Sequence, residues 1–166
     1  YGGFELYQRT GTPIHPMSPL SKIFWMRHEE PKIFKQTAMF ADLKTYVLFQ
    51  LYERFVIDYS LGSATGMMNL EQLDWDNKAL ELLGIERNQL PQLVPTTHVL
   101  TGMKKRYATL MGVDEQTPVI VGASDGVLSN LGVNSYQKGE VAVTIGTSGA
   151  IRTVIDKPRT DYKGRI

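Results

Sequence analysis

At 166 residues, with 42% hydrophobic and 21% charged side chains, the chain has the make-up of one globular domain, or of one domain and part of another, and not of a disordered segment. Eighteen Lys and Arg against 17 Asp and Glu leave a formal net charge of +1, which offers nucleic acid no basic surface. The absence of Cys excludes disulfides, thiolate metal sites and Cys nucleophiles, and no apolar run has the length of a membrane span.

Residues 1–17, rich in Gly, Pro and Thr, are expected to be irregular. Ser18-Pro19 reads as a helix cap followed by Pro at the first helical position, and Leu20, Ile23 and Phe24 recur at helical spacing, so a helix is predicted over 19–28. A short helix over 31–37 follows Pro31. Asp42 is placed to cap a helix running through Arg54, with Leu43, Tyr46, Val47 and Leu51 on one face. Phe55-Val56-Ile57 reads as a strand, and the small, polar stretch 58–66 as a loop or a turn of helix. Asp76 caps a helix over 77–83, and Gly84 stands where a left-handed terminal residue is wanted. Met103, Tyr107, Leu110 and Met111 form an amphipathic stripe closed by Gly112.

The last third changes character. Residues 118–123 are a continuous apolar run that reads as a buried strand of the parallel-sheet kind. Ser124-Asp125-Gly126 breaks it and a helix begins. Residues 140–145 and 150–155 are strand-like, joined by Gly146-Thr147-Ser148-Gly149. Helices followed by strands predict an α/β architecture with a domain junction near 132–138. The beginning, Tyr1-Gly2-Gly3-Phe4, is not a signal peptide, and the end reads as mid-chain sequence, so a segment of a longer protein is expected.

Three constellations could carry chemistry. Asp125 follows a strand directly, where open α/β sheets place ligands, and a carboxylate there can take a proton from a substrate hydroxyl. It could equally cap the helix beginning at Gly126, and the two roles are compatible. Gly146-Thr147-Ser148-Gly149 can present backbone N–H groups and hydroxyls to a phosphate, or be a simple turn; with no following Lys or helix it is not a P-loop. In Asp58-Tyr59-Ser60, the Tyr could meet a polyol, or Asp58 could cap a helix while Tyr59 packs at the core edge. His15 and His98 lack ligand-spaced partners, so no metal site made by protein side chains is expected. His28 suits a helix C-terminus, and Lys104-Lys105-Arg106 reads as a solvated face.

In this order these elements resemble the FGGY carbohydrate kinases, over essentially the whole chain. The resemblance is carried by residues 21–26, Asp58 to Ala64, Leu73-Asp74-Trp75, the Asp125 segment 118–132, and the turn 144–149. It implies an actin-like (ribonuclease H-like) two-domain α/β fold. Residues 1–133 would be the latter part of the N-terminal, sugar-binding domain, and 134–166 the opening strands of the ATP-binding domain. It further implies phosphoryl transfer from ATP with Mg²⁺, Asp125 as catalytic base, and Gly146, Thr147 and Ser148 at the ATP phosphates. Tyr59, His15, Met17 and Gly126 would line the sugar site.

Residues 10–17 and 122–132 look most like those of gluconate kinases, which points to gluconate as acceptor. Gly126, where xylulokinases and glycerol kinases carry Asn or Gln, fits a longer acid whose carboxylate wants a cation, with Lys22, Arg27 and Lys44 as candidates. Another polyol or ketose acceptor (xylulose, ribulose, glycerol or erythritol) and a non-catalytic sugar-binding relative are the alternatives. The resemblance implies a cytoplasmic enzyme with small-molecule partners, free or as a homodimer, without nucleic acid or membrane; a segment lacking the family's N-terminal phosphate hairpin would not turn over alone.

Overall fold

A computed structural model describes residues 2–147 and 149–164. The chain opens with a helix instead of the irregular segment expected: α1 (Gly3–Thr10) runs between Gly2 and Gly11, both left-handed (φ 38° and 68°), and buries Leu6, Tyr7 and Thr10. The two-glycine start hid that spacing. α2 (Pro19–Glu29) begins as predicted, with the Ser18 hydroxyl accepting from Ser21 N–H at 3.4 Å. α3 (Pro31–Gln36) follows, then α4 (Leu43–Tyr52), capped by Asp42 through Thr45 N–H at 3.1 Å.

The predicted face of α4 is corrected. Thr45, Leu48 and Tyr52 are buried, whereas Leu43, Tyr46 and Val47 are exposed. The helix is apolar almost all round, so its sequence held no polar side from which to read the buried one. It stops at Tyr52, two residues early, because Glu53 turns left-handed (φ 56°).

β1 (Val56–Asp58) leads at once into α5 (Tyr59–Ala64), a true helix where a loop or single turn was expected. β2 (Met68–Asn69) and β3 (Asp74–Trp75) pair antiparallel before α6 (Asn77–Leu83), which ends on left-handed Gly84. After a 3-10 turn at Arg87–Gln89, β4 (Gln92–Val94) returns parallel to β1, with Ile57 opposite Leu93 and Asp58 opposite Val94.

Successive strand residues point to opposite faces, and β1 therefore joins two cores. Ile57 and Leu93 pack with Leu20, Ile23, Trp75 and Leu83; Val56 and Val94 pack with Leu48, Tyr52, Met103 and Val121.

β5 (Val99–Leu100), α7 (Lys105–Met111) and β6 (Val119–Ile120) close the second core. The stripe expected over Met103, Tyr107, Leu110 and Met111 is only partly buried: Met103 is covered and Tyr107 half-buried, but Leu110 and Met111 are exposed, Leu110 at 81%. The buried parallel strand expected at 118–123 is a two-residue antiparallel partner of β5, with Ile120 at 63% exposure and only Val121 fully buried there. α8 (Asp125–Gly132) and the hairpin β7 (Val141–Ile145) and β8 (Gly149–Thr153) complete the α/β fold. Ala142 opposite Arg152 forms the hairpin's inner face, while Val143, Ile145 and Ile151 lie exposed on the outer one.

Candidate active site

The site grows from the carboxyl end of β1. Asp58 is the last residue of that strand and the cap of α5, and its side chain is completely buried (0% exposed). One carboxylate oxygen accepts from the backbone N–H of Ser60 (2.9 Å) and of Leu61 (3.3 Å), and from the Ser60 hydroxyl. The other receives the Lys44 ammonium from α4, which also donates to the Val121 carbonyl at 3.3 Å. Burial pushes the Asp58 carboxyl up, but the hydrogen bonds from Lys44 and Ser60, the Lys44 charge and the Leu61 N–H outweigh it and hold the group below the usual carboxylate range. A buried ion pair with its donors and acceptors satisfied is the form that survives in an interior.

The Ser60 oxygen then accepts the backbone N–H of Ser124 at 2.8 Å. Lys44 at Val121 and Ser60 at Ser124 thus hold both ends of the turn that enters α8. Asp125 comes next. It is the first helical residue and the helix cap position falls on Ser124, so Asp125 does not cap a helix starting at Gly126 as the structural alternative had it. Its side chain is exposed, with Oδ1 accepting the N–H of Gly126 at 2.6 Å. Tyr59 opens α5, half-buried at the edge of the first core. Tyr59 and Asp125 therefore flank the Ser60–Ser124 hydrogen bond.

The remaining predicted residues fall elsewhere. His15 shapes the turn before α2: its carbonyl accepts from Ser18 N–H and hydroxyl, both at 2.9 Å, and Nδ1 accepts from Met17 N–H at 3.2 Å. Met17 is 74% exposed. That loop is tied to α5 by the Thr12 hydroxyl on the Ser63 carbonyl (2.7 Å), but no hydrogen bond among the described residues joins His15 or Met17 to the Asp125 turn. Gly146 and Thr147 are exposed at the hairpin bend, closed by Ile145 opposite Gly149; Ser148 lies outside the described residues.

Of the suggested cations, Lys44 is held by Asp58 and Arg27 donates to the Leu82 carbonyl at 2.8 Å. Lys22 borders an apolar cavity of about 260 Å³ that includes Ile23, Phe40, Ile57, Trp75 and Leu90 and none of the predicted catalytic or phosphate-binding residues.

Two features were not anticipated. The Lys44–Asp58–Ser60–Ser124 chain closes through a bond between residues 64 positions apart, Ser60 and Ser124, a pairing that local pattern does not encode. Arg152 lies against Gly126 and donates to the Thr144 hydroxyl at 3.2 Å. The signal available was a lone charge in an otherwise uncharged strand.

Gly146 and Thr147 are exposed at the bend, and the Arg152 guanidinium lies along the hairpin at Thr144, before the bend. Among the described residues no three or more His, Cys, Asp and Glu gather as a metal cage. No helix among the described residues is long and apolar enough to cross a membrane.

A family model described as the N-terminal domain of the FGGY family of carbohydrate kinases matches residues 2–132. The gluconokinase of Bacillus subtilis (strain 168) is 58% identical over 99% of this chain and 32% of that protein. Two solved structures from Lactobacillus acidophilus, one described as gluconate kinase and one as ligand-bound xylulose kinase, each superpose with a TM-score of 0.94 at 38% identity, over 98% of this chain and 33% of theirs. The chain spans about a third of the length of the curated relatives it matches.

Proposed function

Because the chain belongs to the FGGY family of carbohydrate kinases, we propose that it forms part of an enzyme transferring the γ-phosphoryl group of ATP to a terminal hydroxyl of gluconate. Residues 1–133 contribute to the sugar-binding domain and 134–166 open the ATP-binding domain, in a cytoplasmic enzyme. The observation that carries the reading is the placement of Asp125: exposed at the start of α8, one residue beyond a turn tied to the end of β1.

In this reading the Asp125 carboxylate orients the acceptor hydroxyl and takes its proton as the oxygen attacks phosphorus. Tyr59 borders the sugar from the start of α5, with His15, Met17 and Gly126 as further contacts. The bend at Gly146, Thr147 and Ser148 holds phosphate oxygens through N–H and hydroxyl donors. ATP supplies the phosphoryl group, and Mg²⁺ the neutralisation of its charge.

Gluconate is favoured over xylulose by the 58% identity to a gluconokinase, against 29% to a xylulose kinase of the same organism. The test is an ATP-coupled assay of a full-length kinase carrying this segment, with gluconate beside xylulose, ribulose, glycerol and erythritol. The highest kcat/KM should belong to gluconate; a higher value for any of the others would overturn the assignment.

A further inference from the structure

We propose that Ser60 is a positioning residue for the Asp125 carboxylate, acting through the backbone of Ser124; this rests on the reading of Asp125 as catalytic base. The Ser60 hydroxyl has one proton and gives it to the buried Asp58 carboxylate. Its oxygen is thereby turned, lone pair outward, to the N–H of Ser124 at 2.8 Å. Lys44 fixes the other oxygen of Asp58 and grips the Val121 carbonyl, so the acceptor is itself anchored on a second helix.

The turn from Val121 to Asp125 is tied at its start, where Val121 N–H and Gly122 N–H donate to the His98 and Thr96 carbonyls, both at 2.9 Å; beyond the left-handed Gly122 (φ 74°), the Ser124 N–H is held by Ser60. The Ser124 side chain makes no capping hydrogen bond to α8. The peptide next to the base is therefore placed by a residue of another element, and a shift there moves Asp125 directly. Reaction geometry is sensitive on that scale: a misplacement of about 1 Å can cost on the order of 10²-fold in rate.

A full-length kinase carrying this segment tests the idea as a double-mutant cycle. Ser60→Ala should lower kcat about 10- to 100-fold while the KM for gluconate stays within about twofold. Ser60→Thr, which keeps the hydroxyl, should recover most of the loss. In an Asp125→Asn background, Ser60→Ala should cost nothing further, because the residue it positions no longer works as a base.

Ser124→Pro provides a second route if Ser60→Ala folds poorly. It removes the N–H, together with the Ser124 hydroxyl, at a position whose φ of −66° already suits proline, sets the ring Cδ against the Ser60 oxygen so that the turn must shift, and should reproduce the kcat loss. Unchanged kcat in both single variants, or a full additional loss in the Asp125→Asn background, would overturn the positioning role alone. Near-normal turnover of Asp125→Asn itself would remove the catalytic reading, and this inference with it.

Discussion

Arg152 crosses the first turn of α8 so closely that a Cβ added to Gly126 would stand 3.4 Å from its Nε. A cation from the hairpin thus rests beside the residue that follows Asp125, and the missing side chain at 126 is what admits it. Ala at this position makes an ordinary contact and suits a helix better than Gly by roughly 0.5–1 kcal/mol. Asn puts an amide where the guanidinium lies. In the full-length kinase, Gly126→Asn is expected to lower kcat/KM for gluconate by about 10-fold or more, the worth of one charged hydrogen bond. Gly126→Ala should cost less than about twofold. Equal activity of the two variants would separate Arg152 from the reaction.

Asp125 is the residue whose loss should be felt in turnover and not in sugar binding. Asp125→Asn keeps the shape and the hydrogen-bonding reach but cannot accept a proton. Its kcat should fall at least about 10²-fold, the lower end for a lost general base. Calorimetric binding of gluconate should change little. Turnover close to that of the unaltered enzyme would remove Asp125 from the mechanism.

What the sequence disclosed and what it withheld divide along the range of the interactions. Helix caps are local chemistry, and Ser18, Asp42, Asp58 and Asp76 were each legible because an N–H within three residues answers them. Gly84 and Gly112 were legible for the same reason, being left-handed ends. The buried face of α4 was not, because Leu43 and Leu48 look alike in sequence and only the position of the second core distinguishes them. Likewise Asp58 could be read as a cap, but its Lys44 partner lies on another element and its link to Ser124 crosses the chain. The strand expected at 118–123 forms only over Val119–Ile120 and pairs antiparallel, because its partner β5 is set by the fold and is not encoded in the apolar run. Asp125 is read from an expected strand and from resemblance, and a turn separates it from the strand that forms, Val119–Ile120; the Lys44–Val121 and Ser60–Ser124 bonds beside it appear only in three dimensions.

Acid should act on the protein through Asp58 and Asp76. Both carboxyls are held below the usual range: burial opposes this in each, and hydrogen bonds from Lys44 and Ser60 at Asp58, and from Arg9, Ala79 N–H and Asn69 at Asp76, outweigh it. A folded pKa below the unfolded one means that the unfolded chain binds more protons as pH falls, so stability rises with pH across that window. The contribution is complete above the unfolded carboxylate value of about 4 and is lost as pH falls through the lower folded values. Urea midpoints measured between about pH 2 and pH 6 should therefore drop steeply below about pH 4. Asp58→Asn should be less stable at neutral pH and show a shallower acid limb. An unchanged limb would mean that the Lys44 pair does not stabilise the charged form.

Two ion pairs near α6 should behave differently although both look well made. Arg9 meets Asp76 through Nε at 2.8 Å and Nη2 at 3.3 Å, and the same carboxylate accepts from Asn69 Nδ2 (3.1 Å) and from Ala79 N–H (3.0 Å). Asp76 is buried, so removing it costs the helix cap, about 1 kcal/mol, and leaves neighbouring donors unanswered. Asp76→Ala should therefore destabilise by about 3 kcal/mol or more, within the range for breaking a buried pair. Lys78 and Glu81 also pair at 2.9 Å, but both side chains are 71% exposed. Water screens that attraction and ordering two long side chains opposes it, so Glu81→Gln should leave the unfolding midpoint where it was. Thermal or urea unfolding of the two variants side by side decides the matter. A comparable loss from both would show that burial does not set the worth of these pairs, whereas the expected difference locates the anchoring of α1 on α6 in the Asp76 carboxylate.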